Sequence, residues 1–189
     1  APPVPTAQRD LSQVIKAYDV RGIVPDQLDA DLARDIGAAF VRVVGASGGA
    51  VVVGHDMRPS SPELVAAFAQ GATGQGADVV EIGLASTDQL YFASGPLDLP
   101  GAMFTASHNP ARYNGIKLCR AGAAPVGQDA GLTEIRRLVE RWSDADADAD
   151  AGTGPARGTI TRVDTLKDYA AHLRALVDLT GIRPLKVVV

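Results

Sequence analysis

The chain has one cysteine, Cys119, so no disulfide can form within it. That residue ends the apolar run Ile116-Lys117-Leu118-Cys119 and reads as a small core side chain, in keeping with a reducing cytoplasm. Aromatic residues make up only 5% of the 189 positions, so the core has to be built from aliphatic side chains. No stretch approaches the roughly 18 consecutive apolar residues of a membrane helix. The opening Ala1-Pro2-Pro3-Val4-Pro5 also lacks the basic and apolar segments of a signal peptide. Basic clusters are missing as well: 18 Lys and Arg face 22 Asp and Glu, and the formal net charge is −4. A nucleic-acid partner, which is held through clustered cations, is therefore not expected. The expected partner is a small molecule.

What is present is an Ala- and Val-rich chain, 46% hydrophobic, with 20 Gly and 12 Pro. That profile belongs to a globular α/β protein. Residues 18–24 are β-prone, and Leu32, Ile36, Phe40 and Val43 mark the apolar face of a helix. Residues 50–53 form a short unbroken apolar run, as in a strand buried on both faces, ending in Gly54-His55-Asp56-Met57-Arg58-Pro59. Ser60 with Glu63, or Ser61 with Pro62, signals a helix start, and the glycines of 71–76 are expected to stop that helix. Residues 78–84 read as a strand, 89–93 as a short helix, 101–104 as a strand and 115–119 as its hairpin-like return. A single helix is expected over 128–142, through Leu132, Ile135, Leu138, Val139 and Trp142.

The acidic repeat at 144–150, followed by Gly152 and Gly154, reads as a mobile linker and only distantly as a cation site. Beyond it, Thr165 with Asp168 opens a helix whose Leu166, Tyr169, Leu173 and Leu176 share one face, and 185–189 reads as a strand. The expected architecture is a three-layer α/β/α domain with a mixed, largely parallel sheet over 1–145. A flexible acidic and Gly-rich linker at 146–160 and the start of a second, similar domain at 161–189 follow. In such sheets ligands sit beyond the carboxyl ends of the strands, which would place His55, Ser107 and Arg21 on one rim.

The loop Thr105-Ala106-Ser107-His108-Asn109-Pro110 follows the strand at 101–104. On residue types alone two readings stay open: an ordinary turn, since Ser, Asn and Pro are turn formers, or a catalytic loop. A hydrolase-type Ser107–His108 couple is disfavoured, because neighbours on extended backbone point opposite ways. A Gly-x-Ser-x-Gly elbow is also absent. A phosphorylated serine suits the surroundings better: Lys117, Arg21 and His108 offer charge-assisted donors to a phosphate dianion. Gly22 and Gly115 would let backbone approach closely. Arg21 cannot be brought to the loop by spacing alone.

Three segments in order resemble the first-domain signatures of the α-D-phosphohexomutases. They are Ile15-Lys16-Ala17-Tyr18-Asp19-Val20-Arg21-Gly22, Val53-Gly54-His55-Asp56-Met57-Arg58-Pro59-Ser60-Ser61, and 105–110 with Tyr113-Asn114-Gly115-Ile116-Lys117. The resemblance covers roughly residues 12–145 and is nearest the bacterial phosphomannomutase/phosphoglucomutase branch. It implies that Ser107 carries a phosphoryl group and exchanges it with a hexose monophosphate of mannose or glucose, through a bisphosphorylated sugar. It implies His108, Lys117 and Arg21 as catalytic residues, Tyr18 as a substrate neighbour, and hexose 1,6-bisphosphate as activator and intermediate. It also implies a Mg2+ ion held by the phosphate on Ser107 and by an aspartate-rich loop of a second domain.

That loop, and the sugar-reading and phosphate-clamping loops of the family, have no counterpart among the 189 residues. The chain is therefore expected to be an amino-terminal part, inactive without the remaining domains of its polypeptide. A non-catalytic sugar-phosphate-binding module is the alternative. Blander roles are expected for His55, for Asp56 with Arg58 as a salt bridge pinning its own loop, for His172, and for Thr87-Asp88, where related chains often have Thr-Pro.

Overall fold

Three consecutive valines, Val51 to Val53, set the middle of the sheet. In the computed structural model of the chain, which describes residues 10–142 and 156–188, they lie in strand β2 (Ala50–His55). Val51 and Val53 join a larger core with Phe40, Phe68 and Phe104, while Val52 joins a smaller one with Ile82, Leu90 and Met103. The strand is covered on both faces, as its unbroken apolar run predicts.

Around it stand β1 (Val20–Ile23), β3 (Asp78–Leu84), β4 (Gly101–Phe104), β5 (Tyr113–Arg120), the two-residue β6 (Ala124–Pro125) and β7 (Ile160–Arg162). The sheet runs in the order β1-β5-β4-β2-β3-β7, with β6 beside β5. Strands β4, β2, β3 and β7 pair parallel, whereas β5 is antiparallel to β4 and β1. Helices α1 (Ala30–Val44), α2 (Ser61–Gly74) and α4 (Leu132–Arg141) fill the larger core. Helix α3 (Thr87–Leu97) covers the opposite face. The fold is the expected α/β class, three layers around a mixed sheet. Asp29 caps α1 by accepting the Leu32 N–H at 2.8 Å.

Local expectations meet mixed outcomes. The glycines of 71–76 do stop α2, which ends at Gly74, but Gly71 itself lies inside the helix where it packs on α1. A Cβ at Gly71 would lie 1.9 Å from the Arg34 carbonyl oxygen, and one at Gly37 would lie 2.2 Å from that of Phe68. Close helix contact, not helix termination, is the reason for glycine there. The helix expected over 128–142 is broken at Gly131, whose φ of 135° no side-chain-bearing residue adopts easily. A 3-10 turn (Gln128–Ala130) precedes it and α4 follows.

Strand β7 pairs with β3 at the sheet edge. Helix α5 (Leu166–Leu176) then packs on α3 through the Phe92–Tyr169 and Phe92–His172 ring pairs and a Gln89–Thr165 hydrogen bond. Of its expected apolar face only Tyr169 is half-buried; Leu166, Leu173 and Leu176 are exposed. Residues 185–188 form no strand, and among the described residues none pairs with them. The acidic repeat lies outside the described residues.

Cys119 is fully buried in β5, as its sequence suggested. Burial pushes its thiol pKa up. The unfolded thiol ionises first, so native stability falls as pH rises through the interval between the unfolded and the higher folded value, and is unaffected below it. The expected observation is a thiol that resists Ellman's reagent at pH 8 in the native protein and reacts at once in denaturant. Rapid native labelling would contradict the buried placement.

Candidate active site

Two loops leave the carboxyl ends of adjacent strands β2 and β4. They are tied at their start by the Asp56 N–H, which donates to the Phe104 carbonyl at 2.9 Å. The second loop opens with the Thr105 N–H donating to the Gly115 carbonyl at 3.0 Å, and it returns into β5. Within it Ser107 has a φ of 53°, the left-handed region that costs a non-glycine residue about 1–2 kcal/mol. The Thr105 hydroxyl oxygen accepts the Ser107 N–H at 3.0 Å and supports that conformation.

The left-handed turn corrects one expectation. Ser107 Oγ and His108 Nδ1 do not diverge but lie 3.4 Å apart, because the backbone at Ser107 is not extended. Both side chains are exposed on the rim. Among the described residues no carboxylate is hydrogen-bonded to His108, so the third, orienting group of a hydrolase triad is lacking.

Arg21 is delivered by topology. Its strand β1 runs antiparallel to β5, with Arg21 opposite Gly115, and β5 in turn pairs with β4. From there Nη1 donates to Asn109 Oδ1 at 2.6 Å and more weakly to the Ala106 carbonyl at 3.4 Å, while Nη2 pairs with the Asp19 carboxylate. Lys117 Nζ stands 3.7 Å from the same carboxylate. Asp19 thus gathers both cations beneath the Ser107 loop. Residue type alone does not mark Asp19 or Asn109 for these contacts, because Lys117 reaches Asp19 and Arg21 reaches Asn109 from strands distant in sequence. Tyr18 is 85% exposed, so it is not a core aromatic. His55 is half-buried, its Nδ1 2.8 Å from the Asp56 carbonyl oxygen, in a local structural role.

Arg58 exceeds what was expected of it. Its Nε does bond Asp56 at 3.1 Å, but Nη1 also donates to the Pro110 and Tyr113 carbonyls and Nη2 to those of Ser107 and Asn109, at 2.8–2.9 Å. Asp56 additionally accepts from the Arg58 N–H and the Ser61 hydroxyl. Buried Asn114 continues the frame: its amide donates to Ser60 and Ser61, and its oxygen accepts the Gly115 N–H. Ser60, expected as a helix cap, makes no such bond and serves Asn114 instead.

Residues 12–146 match the family described as phosphoglucomutase/phosphomannomutase, alpha/beta/alpha domain I. The chain belongs to the phosphoglucomutase/phosphomannomutase family. Every rim residue named above falls within the matched span of this family. A phosphomannomutase of Escherichia coli is 43% identical over 177 residues, which is 92% of this chain and 37% of that protein. A Klebsiella pneumoniae phosphomannomutase is 42% identical over 156 residues, 82% of this chain and 94% of its own length. Among solved structures, a phosphoglucomutase/phosphomannomutase family protein of Burkholderia thailandensis superposes with a TM-score of 0.73 at 36% identity, covering 88% of this chain and 36% of that one. The chain thus spans little more than a third of the E. coli and B. thailandensis family members.

Proposed function

We propose that this chain is the phosphoserine-bearing, amino-terminal part of a phosphohexomutase that interconverts the 1- and 6-phosphates of mannose or glucose. The observation that supports it most is Ser107: an exposed hydroxyl on a left-handed residue, with His108 at 3.4 Å and Arg21 bonded to its loop. In this reading the phosphoryl group on Ser107 Oγ passes to a free hydroxyl of the sugar monophosphate. The P–O bond to serine breaks, a P–O bond to sugar forms, and the proton lost by the sugar hydroxyl ends on Ser107 Oγ, which leaves as the free hydroxyl. The bisphosphorylated sugar then returns its other phosphoryl group to Ser107.

His108 and Lys117 are the proposed proton carriers and electrostatic partners. Arg21 steadies the phosphorylated loop, and Tyr18 borders the sugar. A phosphoryl group brings close to two negative charges, and donors held in place before reaction stabilise such charge most effectively. Mg2+ and a hexose 1,6-bisphosphate activator belong to the proposal through the resemblance. Among the described residues no group of three or more His, Cys, Asp or Glu is placed to hold a metal ion. What this chain would offer Mg2+ is a phosphoryl oxygen on Ser107. A cytoplasmic location is part of the same proposal; among the described residues no helix is long and apolar enough to cross a membrane.

The test is a coupled assay with glucose 1-phosphate and mannose 1-phosphate, Mg2+ and hexose 1,6-bisphosphate. The full-length protein is expected to turn over at least one sugar, and this 189-residue chain neither. A full-length protein inactive on both would overturn the mutase reading. An active 189-residue chain would overturn its reading as a part.

A further inference from the structure

We propose that Arg58 is the positioning residue that fixes the Ser107 loop for phosphoryl transfer, an inference that rests on the mutase reading above. A guanidinium has five N–H donors in a rigid plane. All five are matched here: one to the Asp56 carboxylate and four to main-chain carbonyls at 107, 109, 110 and 113. The Arg58 side chain is 9% exposed, so these bonds are made away from water. Four carbonyls converging on one cation determine the path of the whole loop.

The direction of the effect follows from Ser107 itself. Its carbonyl is held by Arg58 at 2.9 Å and its N–H by Thr105 at 3.0 Å, so both flanking peptides are fixed and the hydroxyl is left at the surface. Arg58 contributes through shape more than charge, because Asp56 neutralises it at 3.1 Å. Lysine retains the charge but has three donors on a tetrahedral nitrogen. It therefore leaves at least two of the five acceptors unmatched and loosens the loop.

A loosened reacting group lowers the rate of transfer more than the affinity for a sugar bound chiefly elsewhere; a shift of about 1 Å can cost about 100-fold. In the full-length protein, Arg58→Lys is expected to lower kcat by about 30- to 100-fold with KM changed less than about threefold. A folded Arg58→Lys protein whose kcat stays within about twofold of wild type, or whose loss lies wholly in KM, overturns the proposal. Circular dichroism and melting establish that the variant is folded. If it melts below the assay temperature, Asp56→Asn decides: the guanidinium stays but its anchor weakens. A fall in kcat of about fivefold or more at constant KM supports the proposal, and an unchanged kcat overturns it. The wild-type control separates the two layers. An inactive wild type removes the mutase reading and this proposal together, whereas an active wild type with an equally active folded variant removes only the role of Arg58.

Discussion

Ser107→Ala in the full-length protein is expected to lower mutase turnover by about four orders of magnitude or more, the scale seen when a covalent nucleophile is removed. Alanine supplies no oxygen to carry the phosphoryl group, and neither His108 nor Lys117 can replace a bond that is absent. The fold should hardly notice. The Ser107 side chain is exposed, and the bonds that shape its loop use its main-chain N–H and carbonyl, which alanine retains. Alanine occupies the left-handed region about as reluctantly as serine, so the variant should melt within about 2 °C of wild type. Turnover measured beside a melting curve checks both halves. A Ser107→Ala protein retaining a tenth of the activity would exclude Ser107 as the phosphoryl carrier, and a large drop in melting temperature would mean that the hydroxyl is structural.

The parts of this site that sequence could announce were those whose chemistry is carried by residue type over short range. The strands read at 78–84 and 101–104 coincide with β3 and β4, because β-prone residues bounded by turn formers mark a strand over short range. Ser107, His108 and Lys117 stood out as a hydroxyl, an imidazole and an ammonium on one loop and its return strand. Arg58 was underestimated for a physical reason. Its local partner Asp56 is visible in the sequence, but its other four acceptors are backbone carbonyls 49 to 55 positions away, and no residue type marks a carbonyl. The same holds for Gly71. The glycine cluster reads as a helix stop and does end α2 at Gly74, but that Gly71 instead serves a close helix crossing shows only once the carbonyl of Arg34 is known to lie against it. The left-handed Ser107 belongs to this group too: its geometry is imposed by Thr105 and Arg58, and serine by itself would be read as extended or turn.

Gly115 joins the fold to the site, and its substitution is expected to damage both. It sits in β5, opposite Arg21 of β1, while its carbonyl receives the Thr105 N–H. A Cβ there would lie 2.4 Å from the Val20 carbonyl oxygen and 2.9 Å from that of Thr105. Both obstacles are backbone, so no side chain can swing aside to make room. Either β1 retreats, drawing buried Val20 from the core and Arg21 from Asn109, or Thr105 retreats and takes with it the oxygen that holds the Ser107 N–H. Strand β1 is the terminal strand of the sheet order: opposite β5 it is held by a short bridge from Ile15 to Val20 and by the Arg21 N–H donating to the Val14 carbonyl at 2.8 Å, less than holds β4 between the full strands β5 and β2. Displacing Arg21 is therefore the expected outcome. Forced overpacking of this kind costs about 3 kcal/mol, which lowers the melting temperature by about 6–12 °C. The misplaced guanidinium should cost about a further 100-fold in turnover. Gly115→Ala in the full-length protein, assayed well below its own melting point, reads the two effects separately. If the protein melts lower but turns over normally, the strand moves without disturbing the site. If it is as stable as wild type, the contact with Val20 is not as close as 2.4 Å.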